Sequence, residues 1–101
     1  MRFLPNTTPR MPGPSGVRIE VAAHFRRAFN DLPPSLHARV VHRMTLFAAN
    51  PFDPRLRTHK LKGKLKAFWS FSVTEAYRVL VTFPQTGVAL LHDVGTHDIY
   101  R

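Results

Sequence analysis

Twelve consecutive residues, Arg55 to Lys66, hold the densest chemistry in the chain: seven are Arg, Lys or His, and six of those carry a fixed positive charge. From Lys60 to Lys66 lysine fills every second position, with Leu61, Gly63 and Leu65 between. Extended backbone turns successive side chains to opposite sides. The spacing therefore predicts Lys60, Lys62, Lys64 and Lys66 along one edge, with the two leucines against a core. Such a stripe attracts a polyanion, and phosphate backbones are the usual one, because binding releases their condensed counterions. The alternative is a solvated loop whose lysines keep the chain soluble. The aromatic, strand-like sequence that follows from Phe68 favours the first.

The balance of the whole chain points the same way. Fifteen Lys and Arg against six Asp and Glu give a formal charge of +9 over 101 residues. That charge bounds the partners rather than the fold, and suggests nucleic acid, an anionic surface or an acidic protein. The length suits one domain with a single modest core. No cysteine is present, which excludes disulfides and thiolate metal sites and is compatible with a reducing cytosol. No apolar run approaches the ~20 residues of a membrane helix. Arg2 has no hydrophobic stretch behind it, so no secretory signal is expected, and the expected location is the cytoplasm.

The elements that must position the basic run can be read from hydrophobic period. Residues 1–16 contain Pro5, Pro9, Pro12, Pro14, Gly13 and Gly16, a composition that sustains neither helix nor strand and predicts a flexible tail. Val17, Ile19 and Val21 alternate with polar neighbours, as in a strand buried on one face. The period then lengthens: Ala22, Phe25, Phe29 and Leu32 predict a short amphipathic helix. Pro33 and Pro34 stop it and can seat the next, whose buried side would hold Leu36, Val40, Val41, Met44, Phe47 and Ala48, ending at Asn50-Pro51.

After the basic run come three strands. Trp69, Phe71 and Val73 share a face of the first, with Phe68, Ser70 and Ser72 opposite. Tyr77, Val79, Val81 and Phe83 share a face of the second. A three-residue loop of Thr74, Glu75 and Ala76 pairs Val73 with Tyr77 and lays Ser72 beside Arg78, which makes the two apolar faces coincide; a two-residue loop would mix them. Pro84 to Gly87 makes the next turn. Val88 to Val94, nearly all apolar except at His92 and Asp93, is expected inside the sheet. The order β-α-α-β-β-β predicts an α+β fold, an antiparallel-rich sheet with two helices packed on one face and the other face free.

Four segments carry a resemblance. His59-Lys60-Leu61-Lys62-Gly63, Phe68-Trp69-Ser70, Tyr77-Arg78-Val79, and Val94-Gly95-Thr96-His97-Asp98 with Tyr100-Arg101 together resemble the RelE/ParE superfamily of bacterial toxins. They are most similar to its YafQ-like branch, whose members share an H-x-L-x-G segment and a terminal G-T-H. The likeness spans residues 17–101, taken as the toxin domain, and implies the RelE-like version of the fold derived above. It implies a ribosome-dependent endoribonuclease (an mRNA interferase) of a type II toxin–antitoxin system, needing no cofactor and no metal. Its partners would be the ribosome with its mRNA and a cognate antitoxin, with a possible heterotetramer.

Attack of a 2′-hydroxyl on the neighbouring phosphodiester needs a base, an acid for the leaving 5′-oxygen, and positive charge on the phosphate. Histidine suits the first two tasks. The resemblance places His97 at the catalytic histidine and His59 at its second member. Arg78 is a natural phosphate clamp, and Tyr100 would stack on a base or bond a phosphate oxygen. Arg55, Arg57, Lys60, Lys62, Lys64 and Lys66 would hold the RNA backbone. The sequence departs from the branch at Ser72 and Ala76, where relatives carry a histidine and an aspartate; neither residue is an acid or base near neutral pH. His24, His37, His42 and His92 match no family position and read as structural or solvent-facing. Trp69, Phe71, Phe25 and Phe29 read as core, while Phe68, on the opposite face, stays open as a base-stacking platform. Two other functions stay open: a ParE-like poison of DNA gyrase on the same fold, and a non-catalytic nucleic-acid-binding module.

Overall fold

A computed structural model describes residues 16–100. The expected tail thus lies, apart from Gly16, outside the described residues, as does Arg101. Strand β1 (Arg18–Val21) leads into helix α1 (Ala23–Asp31), which buries Phe25 and Phe29. Leu32 closes it by donating its N–H to the Phe29 carbonyl at 3.1 Å, and the two prolines that follow cannot extend the ladder. Pro34 opens helix α2 (Pro34–Ala49) at its first position, where a missing N–H costs nothing. Val40, Met44 and Phe47 form its buried stripe, and Asn50 ends it.

Five strands form one sheet in the order β1-β5-β4-β3-β2. They comprise β2 (His59–Lys60), β3 (Trp69–Ser72), β4 (Arg78–Gln85) and β5 (Val88–Gly95), besides β1. Among the described residues only the β1–β5 pair is parallel. The β3–β4 register is the one that matching apolar faces demanded: Phe71 lies opposite Val79 and Ser72 opposite Arg78. The Val73 N–H donates to the Tyr77 carbonyl at 2.9 Å across the three-residue loop. Strand β5 lies inside the sheet, between β1 and β4.

The core lies between the helices and one sheet face. Phe25, Phe29, Val40, Met44 and Phe47 meet Phe71, Val73, Val79, Val81, Ala89, Leu91 and Val94. Leu91 and Val94 are three apart, yet both belong to this core. The register explains it: Leu80 pairs with Asp93 but Val81 with Leu91, so His92 is an extra residue in β5. Such a bulge resets the alternation by one position.

Two expectations fail here. The lysines do not alternate along one extended edge. Only His59 and Lys60 are strand, a fifth strand absent from the predicted order, and the chain then leaves the sheet for a 3₁₀ turn at Gly63–Leu65. Gly63 takes a φ of +66°, a conformation that glycine adopts freely and that breaks the extended run. All four lysines are exposed, whereas Leu61 and Leu65 are only half-buried. The residue that anchors the run is Leu56, fully buried in the 3₁₀ turn Pro54–Leu56. Nor is the second sheet face free: Ser70 is fully buried and Leu80 is 7% exposed, and Tyr100 folds back to bond the Ser70 hydroxyl.

Candidate functional site

The second face is built by three rows of side chains running across the strands. Residues opposite each other on neighbouring strands point to the same face, with strands about 4.8 Å apart. The middle row is His59, Ser70 and Leu80, since His59 pairs with Ser70 and Ser70 with Leu80. One step along the strands lies the pair Ser72 and Arg78. One step the other way, Thr82 Oγ1 meets His92 Nε2 at 2.8 Å, and Phe68 sets its ring edge-on to His92 at 5.1 Å.

The 3₁₀ turn His97–Tyr100 lies against the middle row. Its Tyr100 hydroxyl and the Ser70 hydroxyl share a hydrogen bond of 2.7 Å, and the His97 ring packs edge-on to Tyr100 at 6.0 Å. Gly95 makes this return possible. A Cβ there would come within 2.8 Å of Ile99 Cγ2, so any larger residue forces Ile99 to shift. His59, Arg78, His97 and Tyr100 are thereby gathered on one face, although 42 positions separate Tyr100 from the Thr58 that precedes β2.

His59 is held in a defined tautomer. Its Nδ1 lies 3.0 Å from the Arg57 carbonyl oxygen, which can only accept, so Nδ1 carries the proton and a neutral ring keeps its lone pair on Nε2. Arg57 reaches this position with a φ of 53°, an uncommon region for a residue with a side chain. The carbonyl that orients His59 thus depends on a left-handed residue directly after the buried Leu56.

Arg78 is positioned by the Ser72 hydroxyl, to which it donates, and by the Glu75 carbonyl oxygen at 3.3 Å. Ser72 therefore serves as a support for the guanidinium; Ala76 is exposed in the hairpin loop. Arg55 donates through Nε and Nη2 to the two carboxylate oxygens of Asp53, at 3.0 and 2.7 Å. Hydrogen bonding from Arg55 holds the Asp53 carboxyl down at about 2 and raises the guanidinium in turn. Of the two residues of β2, His59 shares the Ser70 face, while Lys60 pairs with Trp69 and points to the helix side. Among the described residues no three His, Asp or Glu side chains converge as metal ligands.

Local sequence did not mark His92 for this face. Burial lowers the His92 pKa, so this imidazole is neutral under a greater range of conditions than a free one. The alternation of Ser70 and Ser72 against aromatics was the available signal for a polar face. Nothing local announced that Ser70 would be covered from the far end of the chain.

No protein-family model matches the chain, and no curated protein sequence is similar to it. Solved structures are. YafQ from E. coli strain BL21(DE3) is 18% identical, with a TM-score of 0.68 over 83% of this chain and 97% of that one. The toxin–antitoxin complex RelBE2 from Mycobacterium tuberculosis is 19% identical, with a TM-score of 0.70 over 85% and 97%. The E. coli DinJ–YafQ toxin–antitoxin complex is 18% identical, with a TM-score of 0.65 over 83% and 96%. At these identities the likeness establishes the fold: the chain has the RelE-like α+β architecture expected from its motifs.

Proposed function

We propose that this chain is the toxin of a toxin–antitoxin pair and acts as an endoribonuclease on translated mRNA in the cytoplasm. The observation that carries the reading is the single face bearing His59, His97, Arg78 and Tyr100 beside an exposed basic segment. The fold shared with toxins that were solved with their antitoxins supports a cognate antitoxin as partner, in a heterotetramer or smaller complex. Among the described residues no helix is long and apolar enough to cross a membrane.

In this reading a single phosphodiester spans the middle row. His59 Nε2, freed by the Nδ1 bond to Arg57, takes the proton of the 2′-hydroxyl. The 2′-oxygen forms a bond to phosphorus while the bond from phosphorus to the 5′-oxygen breaks, leaving a 2′,3′-cyclic phosphate. Protonated His97 gives its proton to the departing 5′-oxygen. Arg78 answers the negative charge that builds on the phosphoryl oxygens, held in place by Ser72 so that little reorganisation is needed. Tyr100 positions the His97 turn through Ser70. Arg55, Arg57 and the exposed lysines Lys62, Lys64 and Lys66 bind the flanking backbone, and Lys60, which points to the helix side, adds to the attraction at the strand's edge. The ribosome supplies the message as a single strand.

Primer extension on a translated message tests this, comparing wild type with His97→Ala and His59→Ala. Cleavage is expected from wild type and its loss from both variants, more completely from the first. Growth arrest with DNA damage, whole mRNA and no effect of His97→Ala would instead select the gyrase-poison reading.

A further inference from the structure

A cavity of about 280 Å³ opens where α2, the turn before β2 and the β3–β4 hairpin meet. Four arginines line it, Arg39 and Arg43 from α2 with Arg55 and Arg57 from the turn, and Ser72 and Glu75 lie on the hairpin side. Arg55 is already matched by Asp53. Among the described residues Arg39, Arg43 and Arg57 form no ion pair. The lining thus sets three uncompensated guanidinium groups against the single carboxylate of Glu75.

These cations are not simply a solvated helix face. Arg43 is fixed by donating Nη1 to the Arg55 carbonyl oxygen at 2.8 Å, and its Nε is buried without an acceptor. Buried donors lacking a partner are rare. Arg39 lies one turn away on the same side of α2, a like-charge spacing that works against a helix. Cations that repel one another are therefore held around a concave opening, a repulsion that an entering oxyanion relieves.

We infer that this cavity seats the phosphate of a second nucleotide of the RNA strand whose scissile phosphate lies at the histidines; this rests on the nuclease reading above. The guanidinium fork matches phosphate oxygens in pairs. At the lower limit of ligand cavities, which begin at roughly 300 Å³, the space takes a phosphate rather than a base with its sugar. The two places are joined through β3. Ser72 lines the cavity and supports Arg78, and Ser70, two residues earlier, bears on Tyr100 and lies opposite His59. Two residues of strand span roughly 6.5 Å, a separation of the order of one nucleotide step in an extended strand. That continuity favours a nucleic-acid phosphate over an acidic protein.

The test is fluorescence anisotropy with a labelled octanucleotide RNA, made uncleavable by 2′-O-methylation, over a salt series. Wild type is compared with Arg39→Ala and Arg39→Glu; Arg39 is exposed, and circular dichroism checks that both variants fold. Arg39→Ala is expected to weaken binding several-fold and Arg39→Glu further. Each phosphate that a variant no longer neutralises should flatten the plot of log affinity against log salt by about 0.7. The difference should shrink as the RNA is cut to a dinucleotide with its one phosphate. Unchanged affinity and slope in both variants would overturn the cavity assignment and leave the nuclease reading standing. A wild type that neither binds nor cuts RNA overturns both. Inorganic phosphate bound by wild type, lost in Arg39→Glu and not displaced by the octanucleotide, would make this a free-anion site and overturn the strand assignment.

Discussion

Ser70 shows how much a single hydroxyl can carry. It is fully buried, and it shares its 2.7 Å hydrogen bond with Tyr100, thirty positions away. Tyr100→Phe leaves the serine buried without that partner, which costs about 1–3 kcal/mol. Ser70→Ala removes the buried polar group as well, so the double variant should recover part of the loss. Urea unfolding of the four proteins in a double-mutant cycle reads this directly; strictly additive effects would show that the bond contributes nothing. Cleavage should fall in Tyr100→Phe by more than stability alone explains, because the turn bearing His97 is then released from the sheet. The sequence marked Tyr100 as a ligand-facing residue, but its tie to Ser70 was not legible, since an interaction between chain segments so far apart leaves no local pattern.

Among the elements, strand β5 and the turn after it decide the shape of the site. Gly95→Ala places a Cβ 2.8 Å from Ile99 Cγ2, and overpacking of this kind typically costs about 1–3 kcal/mol. The expected result is a folded protein of lower Tm whose cleavage is reduced more than that of a comparably destabilised core variant, with wild-type activity counting against the turn's role. The bulge at His92 gives β5 a pH response. Burial lowers this imidazole below its ordinary 6.5, so the unfolded chain binds the proton first and stability rises with pH. The contribution is complete above 6.5 and is lost as pH falls through the folded value. His92→Gln should therefore flatten the stability profile below pH 6.5; equal slopes for both proteins would mean that burial at this site has no consequence. A nearly unbroken apolar run identified β5 as interior, but a bulge is set by pairing with β4 and is invisible within one strand.

At the scale of the molecule the property that matters is the charge of +9 and its arrangement. The lysines at 60, 62, 64 and 66 are exposed but distributed over a short strand, a loop and a 3₁₀ turn. They can track a flexible backbone, though not as one straight row. Replacing all four by alanine should reduce the salt slope of RNA binding by at most about 3, at roughly 0.7 per phosphate for a single strand. The fold should survive, because Leu56 and not the lysine run carries the burial. A titration of affinity against salt measures it, and an unaltered slope would exclude these lysines from the RNA footprint.

Local order was therefore a matter of sequence. Proline placement marked where α1 stops and where α2 starts and stops, hydrophobic period separated helix from strand, and the need to match two apolar faces set the β3–β4 register at Ser72 opposite Arg78. Each depends on residues close together in the chain or on strands joined by a tight turn. What the tertiary structure alone decided were the long-range closures: the parallel pairing of β1 with β5, the turn at His97 folded onto Ser70, and four arginines from two separate segments around one cavity. These follow from packing and from backbone geometry at Gly63, His92 and Gly95, where one positive φ, one extra residue and one absent Cβ redirect the chain without changing its composition.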